Sequence, residues 1–87
     1  EIVFLKGNIK EIGFAVNDLI EGDWKAFNIN GTLRATGKYK YGRQDGYAKF
    51  NDENGNLRAE GNFINGEQKG KWIYYEENGD IEDTENL

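Results

Sequence analysis

Eighty-seven residues, 37% hydrophobic and 31% charged, make one small domain with little material for a thick core, since short chains bury a low fraction of their surface. The chain has no cysteine, histidine, serine, methionine or proline, which excludes disulfides and thiolate metal sites and removes the usual nucleophile–base pairs and most transition-metal ligands. The net charge of −5 comes from Glu76, Glu77, Asp80, Glu82, Asp83 and Glu85, which stand in a stretch without a base; the rest is near neutral, so nucleic acid is not an expected partner, and no apolar run approaches the ~18 residues of a membrane span.

From the N-terminus, Ile2-Val3-Phe4-Leu5 is an apolar run too short, and without a basic flank, for a signal peptide. The first unit, 1–21, is truncated and reads Lys6-Gly7-Asn8-Ile9-Lys10-Glu11-Ile12-Gly13. The second, 22–45, holds Asn30-Gly31-Thr32-Leu33-Arg34-Ala35-Thr36-Gly37, and the third, 46–69, holds Asn54-Gly55-Asn56-Leu57-Arg58-Ala59-Glu60-Gly61. The fourth, 70–87, breaks off after Asn78-Gly79-Asp80-Ile81, and 80–87 is expected as a frayed acidic end. Asp80–Asp83 lacks the spacing of a calcium loop; no metal or cofactor is expected anywhere in the chain.

The period is 24 residues, and glycine carries it. Gly22, Gly46 and Gly70 share one register, Gly7, Gly31, Gly55 and Gly79 a second, Gly13, Gly37 and Gly61 a third, and Gly42 and Gly66 a fourth, which accounts for all 12 glycines. Each unit alternates aromatic or β-branched residues with polar ones and so reads as two strands. Asn30-Gly31, Asn54-Gly55 and Asn78-Gly79 suit two-residue type I′ tips; a looser turn falls at Tyr41–Asp45 and Asn65–Lys69. Counting outward from such tips, Trp24 faces Gly37, Gly22 faces Tyr39, Ala48 faces Gly61 and Gly46 faces Phe63. Bulky residues thus lie across from small ones and shield the backbone that glycine leaves bare. The packed face then holds Trp24, Leu33, Tyr39, Phe50, Leu57, Phe63, Trp72 and Tyr74; the other holds Lys25, Arg34, Lys38, Lys40, Lys49, Arg58, Glu60 and Asn62. The expected fold is all-β: residues 1–87 as one domain, a single twisted antiparallel meander of about 3.5 β-hairpin repeats.

Gly70-Lys71-Trp72-Ile73-Tyr74-Tyr75-Glu76-Glu77-Asn78-Gly79 resembles the bacterial MORN-variant repeat. Gly22-Asp23-Trp24 and Leu33…Gly37-Lys38-Tyr39 match the same pattern, whereas Gly46-Tyr47-Ala48 departs from it, with Ala48 where Trp is expected. The resemblance implies hairpin repeats that act as scaffolding or interaction modules, often in exported or envelope proteins, with no catalytic residue; related repeats are associated with phospholipid headgroups. Trp72-Ile73-Tyr74-Tyr75 also resembles the cell-wall-binding repeats that hold choline or glycan on aromatics, but the period and the Leu-Arg-Ala-x-Gly half favour the MORN variant. The missing cysteines fit a reducing cytoplasm or a bacterial envelope, so the compartment stays open; eleven asparagines suggest an AT-rich bacterial genome.

Three features are candidate interaction sites. Arg34, Lys38, Lys40 and Arg43 form a basic cluster without an acid, either a solvated face that blunts edge pairing or an anion site for a headgroup, an acidic partner or residues 76–87 of a second copy. Tyr41, Tyr75 and Trp72 are aromatics of the kind found at interfaces, and Phe27, read as lying across from Arg34, suits a cation–π contact. In the first unit, Ile12, Phe14 and Val16 occupy the registers of Thr36, Lys38 and Lys40, so its polar face is apolar unless a local bulge shifts the register, and Phe4 in the opening run adds to it. The expected function is a non-catalytic repeat module for protein–protein interaction or scaffolding, self-associating through residues 1–20; the alternative is a module that binds lipid headgroups or cell-wall glycan.

Overall fold

The computed structural model describes residues 2–87, and in that range every side chain except those of Ile2, Phe4 and Lys6; Phe4 as a candidate contact therefore lies outside the described side chains. Strands β1 (Ile2–Lys6), β2 (Ile9–Val16), β3 (Leu19–Asn28), β4 (Leu33–Lys40), β5 (Arg43–Gln44), β6 (Gly46–Asn51), β7 (Leu57–Ile64), β8 (Glu67–Tyr75) and β9 (Ile81–Asn86) form one sheet. Neighbours in sequence are antiparallel neighbours in space, with the short β5 beside β4, and the sheet measures 39 × 31 × 16 Å. It is the expected meander. The expected pairs Trp24–Gly37, Gly22–Tyr39, Ala48–Gly61 and Gly46–Phe63 are all present.

The turns are corrected. The two-residue tips with both central residues at positive φ, as a type I′ turn requires, are Asn17-Asp18 (φ 51 and 66), Tyr41-Gly42 (53 and 79) and Asn65-Gly66 (53 and 89). Two of these were read as the looser turns. At the Asn-Gly tips only the glycine is left-handed, with φ 91, 86 and 97 at Gly31, Gly55 and Gly79. There the amides of Gly31, Gly55 and Gly79 donate to the carbonyls of Asn28, Asp52 and Glu76, which gives three-residue loops. The cause is local side-chain bonding: Asn30 Oδ1 accepts from the Thr32 amide at 3.0 Å, Asn78 Oδ1 from the Asp80 amide at 2.9 Å, and Asp52 Oδ1 from the amides of Asn54 and Asn56. Such Asx turns hold the asparagine at negative φ.

The enlarged tip adds a residue that each hairpin then skips, at Arg34, Arg58 and Glu82, before the expected register resumes. The skip moves Leu33 and Leu57 off the packed face: they pair with Phe27 and Asn51. Phe27 consequently lies across from Leu33 rather than Arg34, whose Nη1 donates to Asn28 Oδ1 at 2.9 Å. The end expected to fray at 80–87 contains β9, paired with β8 from Lys71–Asn86 to Tyr75–Ile81, although each of its residues is exposed.

A single layer must cover its apolar side with its own side chains, and this one does so with two tryptophans on glycine. Gly22 and Gly70 are left-handed, at φ 79 and 74, and the register slips by two residues there, so that Gly13 stands opposite Gly22-Asp23-Trp24 and Gly61 opposite Gly70-Lys71-Trp72. The bulge throws each indole back over the neighbouring strand. Trp24 is 7% exposed and Trp72 1%. A Cβ at Gly61 would lie 2.4 Å from Trp72 Cδ2, and one at Gly13 or Gly37 would lie 3.7 Å from Trp24. Phe50, Phe63 and Tyr74 surround Trp72 with ring centroids 5.1 to 6.5 Å away. A buried ring of this kind removes roughly 150–250 Å² from water, about 4–6 kcal/mol at ~25 cal/mol/Å². That outweighs the roughly 0.5–1 kcal/mol entropic disadvantage of a strand glycine.

Gly61→Ala is accordingly expected to destabilise the fold by about 2–3 kcal/mol, the overpacking range. Gly37→Ala, where the nearest atom is Ala48 Cβ at 3.4 Å, is expected to change stability by less than about 1 kcal/mol. Urea unfolding followed by tryptophan fluorescence measures both; equal losses would refute the apposition.

Candidate functional site

The face away from the tryptophans is built by one row of cross-strand pairs that runs through the whole sheet. Val3 pairs with Ile12, Ile12 with Lys25, Lys25 with Thr36, Thr36 with Lys49, Lys49 with Glu60, Glu60 with Ile73 and Ile73 with Thr84. The row is apolar in the first unit, charged in the middle and mixed at the end.

The first-unit candidates sit where the spacing placed them. The register slip beside Ile12 lies on β3, as at the later bulge of β8, so Phe14 stays on the charged side and pairs with Glu21, and Val16 pairs with Leu19. Phe14 is 51% exposed; Val3, Leu5, Val16 and Leu19 are exposed as well, while Ile12 is half-buried. The patch also takes in Leu19, because β3 begins there and not at Gly22, where the second repeat unit opens. Leu5, Ile9, Ile12, Phe27 and Ile29 line an open cleft of about 490 Å³, with Lys10 and Asn28 at its polar positions.

The basic cluster does not stay together. Arg34 lies at the Asn-Gly tip end of β4, bonded to Asn28. Lys38 and Lys40 lie at the other end, opposite Asp23 and Arg43. Lys10, Lys25, Lys38, Lys40 and Arg43 form no ion pair among the described residues. Tyr41, 71% exposed, caps the Tyr41-Gly42 tip, where its amide donates to Glu21 Oε1 at 2.6 Å and the Gly42 amide to the Ile20 carbonyl at 3.1 Å. The next tip repeats this with Asn65 on Asp45 and Gly66 on the Gln44 carbonyl. Tyr41 is thus placed by a stacking contact between hairpins. Trp72 is part of the core, with its indole Nε1 donating to the Asn62 carbonyl at 2.9 Å, and offers no surface to a ligand.

Tyr75 belongs to a cluster that the sequence did not reveal. Tyr47 and Tyr75 both donate to Glu60, to Oε1 at 2.6 Å and to Oε2. The three residues lie on adjacent strands of the charged face, 13 and 15 positions apart, and the only sequence signal was that Tyr47 and Tyr75 put aromatic rings where the alternation places polar residues. The tyrosine hydroxyls, Tyr47 first, hold the Glu60 carboxyl below its ordinary range, with Lys49 adding to the effect. The reciprocal bond pushes the Tyr47 phenol up to about 12 and raises Tyr75 as well.

A depressed carboxylate contributes stability above its unfolded pKa, and loses it as pH falls through the folded value. A raised phenol contributes below its ordinary 10.0 and loses it as pH rises through about 12. Glu60→Gln is expected to return the Tyr47 titration toward 10.0 and to flatten the alkaline slope of stability. An NMR titration of the Tyr47 ring reads the first directly, and an unmoved midpoint would dissolve the cluster.

The family model of the MORN repeat variant matches residues 44–65, which span β6, the tip after it and β7. No match to a curated protein or to a solved structure reaches significance.

Proposed function

We propose that this chain, which carries a MORN repeat variant over residues 44–65 within a sheet of like hairpins, is a non-catalytic repeat module for protein–protein interaction or scaffolding that self-associates through residues 1–20. MORN repeats are in general non-enzymatic and bind proteins or membranes. The observation that supports the self-associating form is the first unit's outer face. Val3, Leu5, Phe14, Val16 and Leu19 are all exposed on one surface, and Phe14, Val16 and Leu19 stand at the registers where the second hairpin carries Lys38, Lys40 and Arg43. Contiguous exposed apolar residues rimmed by polar ones mark interaction surfaces.

A second reading rests on Lys25, Lys38, Lys40 and Arg43 beside that patch, unpaired among the described residues, an arrangement that suits anionic lipid headgroups. A glycan is favoured less, because both tryptophans on which a sugar would stack are covered.

Sedimentation equilibrium over an about hundredfold concentration range, with and without Phe14→Asp, tests the first reading. The expected result is a reversible oligomer that the substitution weakens by at least about tenfold. Co-sedimentation with phosphatidylserine and phosphatidylcholine vesicles runs beside it. A monomer at every concentration that pellets with anionic vesicles, and loses this on reversing Lys38 and Lys40, would replace self-association with headgroup binding.

A further inference from the structure

Four Asn-Gly pairs stand in the chain, at Asn30-Gly31, Asn54-Gly55, Asn65-Gly66 and Asn78-Gly79. Every one of these residues is exposed, so water and hydroxide reach each pair alike. What separates them is how the asparagine side chain is held. Asn30 Oδ1 accepts from the Thr32 hydroxyl at 2.7 Å and the Thr32 amide at 3.0 Å, and its Nδ2 donates to the Glu53 carbonyl at 3.3 Å. Asn78 Oδ1 accepts from the Asp80 amide at 2.9 Å, and its Nδ2 donates to Asp80 Oδ2 at 3.2 Å. In the loop after β6 the carboxylate of Asp52 takes over that role, with its Oδ1 accepting the amides of Asn54 and Asn56. The side-chain amide of Asn54 is left with no hydrogen bond among the described residues.

Asn65 has no side-chain bond either, but its tip is tied to the neighbouring hairpin. The Gly66 amide donates to the Gln44 carbonyl at 2.8 Å, the Asn65 amide donates to Asp45 Oδ2 at 3.3 Å, and a Cβ at Gly66 would lie 3.8 Å from Arg43 Cβ. The Gly55 amide bonds only inside its own loop, to the Asp52 carbonyl at 3.0 Å, and a Cβ at Gly55 would meet nothing within 4 Å. Asn54-Gly55 therefore combines a loose side chain with a glycine that can turn without disturbing another hairpin.

We propose that Asn54-Gly55 is a modification site at which the chain deamidates through its own backbone, ahead of the other three pairs. Base removes the Gly55 amide proton, and the Gly55 nitrogen attacks Asn54 Cγ. The new N–Cγ bond closes a cyclic imide, the Cγ–Nδ2 bond breaks, and ammonia leaves. Water then opens the imide at Cγ to give aspartate, or at the Asn54 backbone carbonyl to give isoaspartate. Water is consumed, ammonia is released, and nothing is oxidised or reduced. Glycine permits the closure because it has no side chain to obstruct the approach and turns easily. The reaction also needs Cγ brought onto the nitrogen. A loose side chain samples that geometry, whereas one held by two or three hydrogen bonds must first break them.

The product sets a third carboxylate beside Asp52 and Glu53. In its isoaspartyl form it also adds a backbone carbon to a loop closed by the bond from Gly55 to Asp52. The Glu53 carbonyl in that loop accepts from Thr32 Oγ1 at 2.9 Å and from Asn30 Nδ2. The change at Asn54 thus reaches the contact between the tips of the β3–β4 and β6–β7 hairpins.

Cleavage after lysine and arginine leaves each Asn-Gly pair in its own peptide, so mass spectrometry follows all four in one sample. During incubation of the folded chain at mildly alkaline pH, acid is expected at Asn54 at least about tenfold faster than at Asn30 and Asn78 and at least about threefold faster than at Asn65. In urea, where the hydrogen bonds are gone, the four rates are expected to converge to within about threefold of one another. Labelling by an isoaspartyl methyltransferase identifies the rearranged product in the peptide 50–58. Equal rates at Asn54, Asn30 and Asn78 in the folded chain, or the same lead of Asn54 in urea, would overturn the proposal.

Discussion

A one-layer sheet has no second layer to exclude water from its apolar side, so that side must be closed by side chains lying down on the backbone of neighbouring strands. Here the indoles of Trp24 and Trp72 do this, and Trp72 can lie flat only because the strand beside it has no Cβ. Gly61 has no room for even one carbon beneath Trp72. The left-handed glycine two residues before each tryptophan supplies the bulge that swings the ring across. The spacing Gly-x-Trp and the glycine of the adjacent strand are therefore two parts of one contact, which the chain makes twice, with Ala48 at the register between.

The same device decides which face is left for function. With the rings folded onto glycine, the tryptophan side is finished and the opposite side carries everything that varies between units. Glycine backbone also lets the two-residue tips stack: the amides of Gly42 and Gly66 reach the carbonyls of Ile20 and Gln44, and a carboxylate at Glu21 or Asp45 takes the amide beside them. The hairpins are locked along one edge of the sheet by backbone bonds. The charged face between the edges is free to change from apolar at the first unit to mixed at the last without disturbing the stack.

The repeat, the meander and the strand pairs across Gly37 and Gly61 were legible in the sequence because period-two alternation and glycine spacing report directly on backbone geometry. The turn types were misread because an Asn-Gly pair fits two loops, and the choice between them is made by Asn30, Asp52 and Asn78 side chains bonding to amides two residues on. That one-residue difference moved Leu33, Leu57 and Phe27 to places the simple count did not predict. The apolar outer face of Ile12, Phe14 and Val16 could be read by register alone. The joining of Tyr47, Glu60 and Tyr75 could not, since it needs three strands in their final order. Trp72 was taken for a contact residue on the strength of its type; its neighbour Gly61, not its own identity, determines that it is buried.

The apposition of indole and glycine is open to direct observation in solution. In a nuclear Overhauser spectrum of the chain, the account predicts strong cross-peaks between the Trp72 ring protons and both Gly61 Hα protons, with those protons shifted upfield by the ring. Gly61 protons at ordinary strand positions, with no cross-peak to the indole, would contradict it.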